Sequence, residues 1–253
     1  MFLLYLILFK KGELMKKTRL FRFLSIIVLI IIASIILIPG IIYTLPSPPW
    51  AEMYSYDTVD CSEDPYIKQY LLNMGYDTRW YQNTHAYYVR RTMYQDAVFH
   101  IHTHGWPGGG RVQCVSGTQL SAKSVPSQDY NYSLQATYGN STDKLKYTRL
   151  TYWAACHTSE SSSTYGDLDN YCYYTLGVDS TVAFYSIRIS PYCTYFDKVF
   201  YNCAKQNNTI ASSLLLAEYA TRNQWPDTPK ESHYDYRYYG GSIKLIPASY
   251  GTY

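Results

Sequence analysis

Charged residues are scarce in this sequence, and they are unevenly distributed. Lys, Arg, Asp and Glu make up 16% of the 253 residues, whereas 31 tyrosines supply much of the polarity. The first 22 residues hold six basic residues and one acid, and the remainder holds 16 and 18, a net charge near −2. A chain without a basic patch or stripe lacks the electrostatic footprint of a nucleic-acid-binding protein. No nucleic acid is therefore expected as a partner.

No charged residue occurs between Arg22 and Glu52. The apolar run in this gap begins at Phe23 and continues to Leu45. About 20 apolar residues span the hydrocarbon core of a bilayer, and the run is longer than the ~7–15 apolar residues of a cleaved secretory signal. The basic residues before the run predict a cytoplasmic N-terminus and an external C-terminal domain.

We therefore expect four segments along the chain. Residues 1–22 are a cytoplasmic N-terminal segment, 23–45 a transmembrane signal anchor, 46–52 a linker and 53–253 one extracytoplasmic domain. About 200 residues are enough to bury a sizeable core. The expected location is the cell membrane, crossed once, with the membrane as a partner of the N-terminal helix. A cleaved signal peptide and a buried core helix are the alternatives for the apolar run.

The sequence after the linker alternates between strand-like and helix-like segments. Strands are predicted at 53–56, 97–103, 149–155, 180–187 and 242–246, and helices at 64–74, 84–94, 167–176, 192–206 and 210–223. Residues 106–143 are rich in Gly, Ser and Thr and are predicted to form loops and hairpins. Strands separated by helices at this spacing predict an α/β fold with a mostly parallel central sheet.

Two of the predicted strands end directly at residues that can carry chemistry. His104 and Gly105 follow strand 97–103, and Cys156 follows strand 149–155. Functional sites of open α/β sheets form outside the carboxyl ends of the strands. If these strands are neighbours, a thiol and an imidazole face one crevice, which is the minimum equipment for acyl transfer. Backbone N–H groups of Gly105 and Cys156 would form the oxyanion hole, and the missing Cβ of Gly105 would let substrate backbone approach.

These residues lie in segments that resemble caspase-like cysteine peptidases. The segments 98–109 (VFHIHTHGWPGG) and 150–161 (LTYWAACHTSES) are similar to the two strand ends of that family, in particular its legumain, gingipain and CHAT branches. Weaker likenesses extend the resemblance over residues 52–247: they lie at 70–76, 195–201 and 240–245. The Gly-Asp-Pro often found near the closing strand is absent.

The resemblance implies a three-layer sandwich around a mostly parallel sheet and a Cys–His dyad. Cys156 is then the nucleophile and His104 the general acid and base, acting on a peptide or protein substrate. Neither a cofactor nor a metal is expected. The function predicted from the sequence is therefore that of a membrane-anchored, extracytoplasmic cysteine endopeptidase.

Other interpretations of the same residues stay open. The six cysteines are an even number outside the cytoplasm, which suggests three disulfide bridges: Cys61, Cys114, Cys156, Cys172, Cys193 and Cys203. With Cys156 oxidised, or with its pocket closed, the chain is a non-catalytic surface domain of the same fold. As a third alternative, Cys156 is an inert core thiol.

The histidines allow two further interpretations. His100, His102 and His104 alternate along one strand and point to one face, so they are candidate zinc ligands of a hydrolase, although they span about 13 Å. His157 is an alternative base beside Cys156. Substrate specificity stays open, because the loops 187–192 and 223–239 hold both acids and bases: Asp227, Glu231, Asp235, Arg188 and Arg237.

Overall fold

The computed structural model describes residues 49–125, 130–139, 144–185, 187–229 and 234–246. The chain divides into two units, Met1–Ser47 and Pro48–Tyr253, and every described residue belongs to the second. The anchor predicted at 23–45, the segment before it and the start of the linker lie outside the described residues. No helix within those residues is both long and apolar enough to cross a membrane.

Six strands form the central sheet, and three shorter ones form a second sheet. In the described chain the strands are, in order, β1 (Trp50–Ser55), β2 (Asp77–Gln82), β3 (Asp96–His102), β4 (Arg111–Gln113), β5 (Gln119–Ser121), β6 (Asn131–Ser133), β7 (Leu150–Ala154), β8 (Ser180–Phe184) and β9 (Tyr236–Gly240). The central sheet has the order β2-β1-β3-β7-β8-β9. All its neighbours are parallel except β8 and β9. The small sheet has the order β4-β5-β6.

Helices connect the parallel strands, as parallel pairing requires. They are α1 (Asp64–Asn73), α2 (Ala86–Thr92), α3 (Leu134–Tyr138), α4 (Leu168–Asn170), α5 (Tyr192–Lys205) and α6 (Ile210–Gln224). A 3₁₀ turn at Met93–Gln95 extends α2, and a π turn at Tyr171–Thr175 extends α4. Pro65 stands at the start of α1, where its missing N–H costs no helical hydrogen bond.

The central sheet separates two hydrophobic clusters, which makes the domain three-layered. On one face α1, α5 and α6 pack against the sheet, with Ile67, Phe200 and Leu214 fully buried. On the other face α2, α3, α4 and the small sheet pack around Phe99 and Trp153. Alternate residues of β1, β3, β7 and β8 supply the two clusters, because successive side chains of a strand point to opposite sides. The predicted α/β class with a mostly parallel sheet is therefore confirmed.

Three details of the predicted secondary structure differ from the structure. The segment 106–143, predicted to form loops and hairpins, contains the helix α3 (Leu134–Tyr138). The last strand is Tyr236–Gly240, antiparallel to β8, and not the segment 242–246. Lys244 forms only an isolated bridge with Thr209, so the apolar side chains of that segment cover the end of α6 instead of extending the sheet. The strand β2 was not predicted, since Asp77–Gln82 is a polar edge strand without an apolar run.

Candidate active site

The register between β3 and β7 places the two predicted site residues at equivalent positions. His102 pairs with Ala154 at the end of both strands, and the N–H of Thr103 donates to the carbonyl of Ala154 at 3.3 Å. His104 and Cys156 each follow two residues later, on neighbouring parallel strands. The expectation that these strands are neighbours is confirmed.

One open cavity of about 350 Å³ contains both residues in its lining. Three parts of the chain form it: the loop after β1, the carboxyl ends of β3 and β7, and the segment between β8 and α5. The residues that line it are Val59, Asp60, His102, Thr103, His104, Ala154, Cys156, Arg188, Ile189, Ser190 and Cys193. The cavity therefore lies where open α/β sheets bind their ligands.

A backbone carbonyl orients the imidazole of His104. Nε2 of His104 lies 2.9 Å from the carbonyl oxygen of Thr58. A carbonyl only accepts hydrogen bonds, so Nε2 carries the hydrogen and donates it. Nδ1 is then the basic nitrogen of the neutral ring. The loop after β1 thus sets both the direction and the tautomer of His104.

The sulfur of Cys156 receives a backbone donor from the segment after β8. The N–H of Arg188 points to Sγ at 3.1 Å. An N–H donor of this kind interacts favourably with negative charge on sulfur. Cys156 is half-buried, whereas His104 is exposed, so a ligand in the cavity can reach both.

Gly105 is required by the backbone of Cys156. A Cβ built on Gly105 would lie 1.6 Å from the carbonyl oxygen of Cys156. No side chain fits at that distance. The missing Cβ of Gly105 was expected to make room for the backbone of a substrate. In the structure, the backbone of Cys156 occupies that space, so the two strand ends pack directly against each other.

All six cysteines of the chain are free thiols in the structure. All six cysteines are described, and none is in a disulfide, which does not support the interpretation of three bridges. Cys193 lines the same cavity, but burial raises the pKa of its thiol to about 11. Burial also raises the pKa of the Cys114 thiol to about 12. These two cysteines are therefore held as neutral thiols at physiological pH.

Two histidines near the candidate dyad, His100 and His157, have structural partners. His100 is fully buried on the α5 side of the sheet, where Nδ1 lies 3.0 Å from the hydroxyl of Tyr201 and the ring stacks on Tyr152. His157, the alternative base, is paired with Glu160 through Nδ1. His104 alone of the three alternating histidines is exposed, so the interpretation of these three as one metal site is not supported.

Neither arginine considered for substrate selection carries an uncompensated charge. Arg188 is buried with its guanidinium against Asp197. Arg237 pairs with Asp167 and Asp169. Of the acids considered, Glu231 lies outside the described residues.

Sequence reasoning missed the groups that orient the candidate dyad. The Thr58 carbonyl and the Arg188 N–H are backbone groups, and no residue type encodes them. Asp60, whose carboxylate accepts a hydrogen bond from Ser190, also lines the cavity. It lies 44 positions before His104 in the sequence and gives no signal without the fold.

Comparisons with known proteins show a structural likeness and no match by sequence. No protein-family model matches the chain, and no curated protein does. Among solved structures, the chain is similar to the crystal structure of caspase-1 from Spodoptera frugiperda, with a TM-score of 0.47 and 12% identity over 78% of this chain and 91% of that chain. Neither sequence comparison assigns the chain to a family.

Proposed function

We propose that the chain is a cysteine endopeptidase of caspase-like fold, with Cys156 as nucleophile and His104 as general acid and base. The observation that carries the proposal is the shared cavity: two adjacent parallel strands place a thiol and an imidazole in its lining. The three-layer architecture with a mostly parallel sheet supports it, because the resemblance of the two strand-end motifs implies that architecture.

In the proposed reaction, Nδ1 of His104 takes the proton of the Cys156 thiol, and the thiolate attacks the carbonyl carbon of a peptide bond. Backbone N–H groups of Gly105 and Cys156 stabilise the oxyanion of the tetrahedral intermediate. His104 gives its proton to the leaving amine, and a thioester remains. His104 then takes a proton from water, the hydroxide attacks the thioester, and the acid product leaves with the thiol restored. The Thr58 carbonyl holds the imidazolium in place throughout.

The proposal includes a location outside the cytoplasm, on a membrane anchor at residues 23–45. The uncharged run from Phe23 to Leu45 and the basic residues before it support this location. Retention in the membrane fraction at alkaline pH, with the C-terminal end accessible to added protease in intact cells, is the expected result. A soluble processed chain would instead indicate a cleaved signal.

The experiment that tests the dyad is selective alkylation of the full chain. An iodoacetamide probe followed by peptide mass spectrometry is expected to label Cys156 ahead of Cys193, which shares the cavity. His104→Ala is expected to reduce both labelling of Cys156 and cleavage of a peptide library by about 10²–10⁴-fold, the usual contribution of a general acid–base group.

His157→Ala is the matched control, because it removes the neighbouring imidazole that pairs with Glu160. Labelling and cleavage are expected to persist in this variant. A disulfide at Cys156 in the untreated chain, or labelling and cleavage that are insensitive to His104→Ala, would overturn the peptidase proposal in favour of a non-catalytic domain.

A further inference from the structure

A second cluster of reactive side chains lies behind the candidate dyad, on the α1 side of the sheet. Cys61, Asp64 and His102 each direct one donor atom to a common centre, and these atoms all lie within 4.8 Å of one another. Glu63 borders the same centre, with Oε1 at 3.0 Å from Nδ1 of His102. Oδ1 of Asp64 lies 3.6 Å from the same nitrogen.

The fold brings these residues together at one end of the sheet. His102 ends β3 and pairs with Ser55, the last residue of β1. Asp64 begins α1, with Glu63 immediately before it. Cys61 lies in the short loop between β1 and α1. The N-terminus of α1 therefore lies above the carboxyl ends of β1 and β3.

The polar side chains around this centre are buried, and they face mainly one another. Asp64, Glu63 and His102 are at most 4% exposed. Among the described residues, Oε2 of Glu63 has no hydrogen-bond partner. Nδ1 of His102 faces two carboxylate oxygens, Oε1 of Glu63 at 3.0 Å and Oδ1 of Asp64 at 3.6 Å. Buried polar groups are ordinarily satisfied, so carboxylates, a thiol and an imidazole gathered in one buried place call for an explanation.

Oδ2 of Asp64 accepts a hydrogen bond from outside the cluster, and the other carboxylate oxygen is left to face its centre. Ser55 donates its hydroxyl hydrogen to Oδ2 of Asp64, and the indole N–H of Trp80 donates to the Ser55 oxygen at 2.6 Å. Metal-binding carboxylates characteristically have outer partners of this kind, which fix the direction of the ligating oxygen.

We propose that this cluster is a zinc site with Cys61, Asp64 and His102 as its three protein ligands. A thiolate, an imidazole and a carboxylate match the donor preferences of Zn²⁺, whereas Mg²⁺ and Ca²⁺ prefer oxygen alone. Ligands bonded to a tetrahedral zinc at 2.0–2.3 Å lie about 3.3–3.8 Å apart. The separation of 3.6 Å between Nδ1 of His102 and Oδ1 of Asp64 lies within that range.

A zinc ion at this site would also fix the loop that lines the neighbouring cavity. Only the importance of that loop for catalysis rests on the proposed function. The loop that carries Cys61 also carries Thr58, whose carbonyl orients His104, and Asp60, which lines the cavity. A metal ion bound to Cys61 would hold that loop against β3. Zinc binding itself requires neither Cys156 nor His104.

The test is metal binding by the full chain in detergent, reduced with a phosphine, stripped with a chelator and titrated with Co²⁺ and then Zn²⁺. Co²⁺ reports the ligands directly, because a bound thiolate gives a near-ultraviolet charge-transfer band. We expect one Co²⁺ per chain, this band, and displacement of Co²⁺ by Zn²⁺.

The variants locate the site. Cys61→Ser is expected to abolish the charge-transfer band and to weaken binding at least tenfold, whereas Cys203→Ser and Cys156→Ser keep both. In thermal unfolding, Zn²⁺ is expected to raise the Tm of the wild type but not that of Cys61→Ser, since a ligand that binds the native state stabilises it. Absence of stoichiometric binding would overturn the proposal. A charge-transfer band that survives in Cys61→Ser would also overturn it. Loss of the band in Cys156→Ser would overturn it as well, because the metal would then be bound at the candidate dyad.

Discussion

Gly105 lies so close to the backbone of Cys156 that a single methyl group decides whether the two strand ends can meet. In Gly105→Ala the new Cβ collides with the Cys156 carbonyl oxygen, which cannot rotate away as a side chain would. We expect the free energy of unfolding to fall by about 1–3 kcal/mol, with loss of Cys156 labelling. Urea unfolding and the alkylation assay measure the two effects.

Gly241→Ala is the control for this prediction. A Cβ at Gly241 meets no atom within 4 Å, so stability and labelling are expected to stay at wild-type levels. Equal behaviour of the two alanine variants would contradict the role assigned to Gly105.

Asp96 is a buried acid at the start of β3, and it makes stability depend on pH. Its carboxyl group is fully buried. Burial, and then the neighbouring Glu52 carboxylate, raise the pKa of Asp96 well above its ordinary value. In the unfolded chain the group releases its proton near pH 3.9. Because the folded state keeps the proton to higher pH, stability falls as the pH rises from that value through the raised pKa.

Asp96→Asn removes this titration. We expect the variant to be more stable than the wild type at about pH 8 and to differ less at about pH 4, as measured by urea unfolding at several pH values. The control is Asp77→Asn, at a carboxylate whose side chain is 49% exposed and forms only a surface ion pair with Arg79. A pH profile of Asp96→Asn that parallels the wild type would show that Asp96 is not the group that titrates.

At the scale of elements, a buried ion pair ties the segment after β8 to α5. The guanidinium of Arg188 contacts Asp197, which is fully buried and also accepts a hydrogen bond from Tyr152. Removal of one member of such a pair leaves an uncompensated buried charge. Arg188→Met is therefore expected to lower the free energy of unfolding by about 3–5 kcal/mol, measured from the urea midpoint.

An exposed pair within α6 provides the comparison. Arg222 is 58% exposed and lies 3.7 Å from Glu218. Arg222→Met is expected to change stability by no more than about 0.5 kcal/mol. If the two methionine variants lost similar stability, the pair in the interior would have no special structural role.

Elements with a strong local pattern could be predicted, and those defined by distant neighbours could not. The segments around β3 and β7 are apolar runs rich in β-forming residues. The first leads directly into His104 and the second into Cys156, the two residues of the candidate dyad. By contrast, β2 has a polar sequence and becomes a strand only because β1 offers it a partner. The segment 242–246 has the apolar character of a strand, yet Tyr236–Gly240 takes the place beside β8.

The candidate sites follow the same rule. His104 and Cys156 could be identified because each ends a recognisable strand. Cys61, Asp64 and His102 could not be grouped from the sequence, because about 40 residues separate the first two from the third. Their proximity depends on how the N-terminus of α1 lies over two strand ends, which no local pattern encodes.

For the whole domain, the central sheet couples two separate hydrophobic clusters. Phe99 projects from β3 into the cluster beneath α2, whereas its neighbour Val98 belongs to the cluster beneath α5. Because β1, β3, β7 and β8 each supply both clusters, loss of one cluster removes the support of the other. We expect a chain that begins at Pro48 to unfold in one cooperative transition, with secondary structure and aromatic packing lost together.

A mutation on either face tests this coupling. Phe99→Ala and Phe200→Ala each remove a fully buried ring, one from each cluster, and each is expected to cost about 3–5 kcal/mol. Far- and near-ultraviolet circular dichroism during urea unfolding should shift to the same lower midpoint in both variants, because no strand can leave one cluster without leaving the other. A variant in which the two signals separate into distinct transitions would show that the faces of the sheet unfold independently.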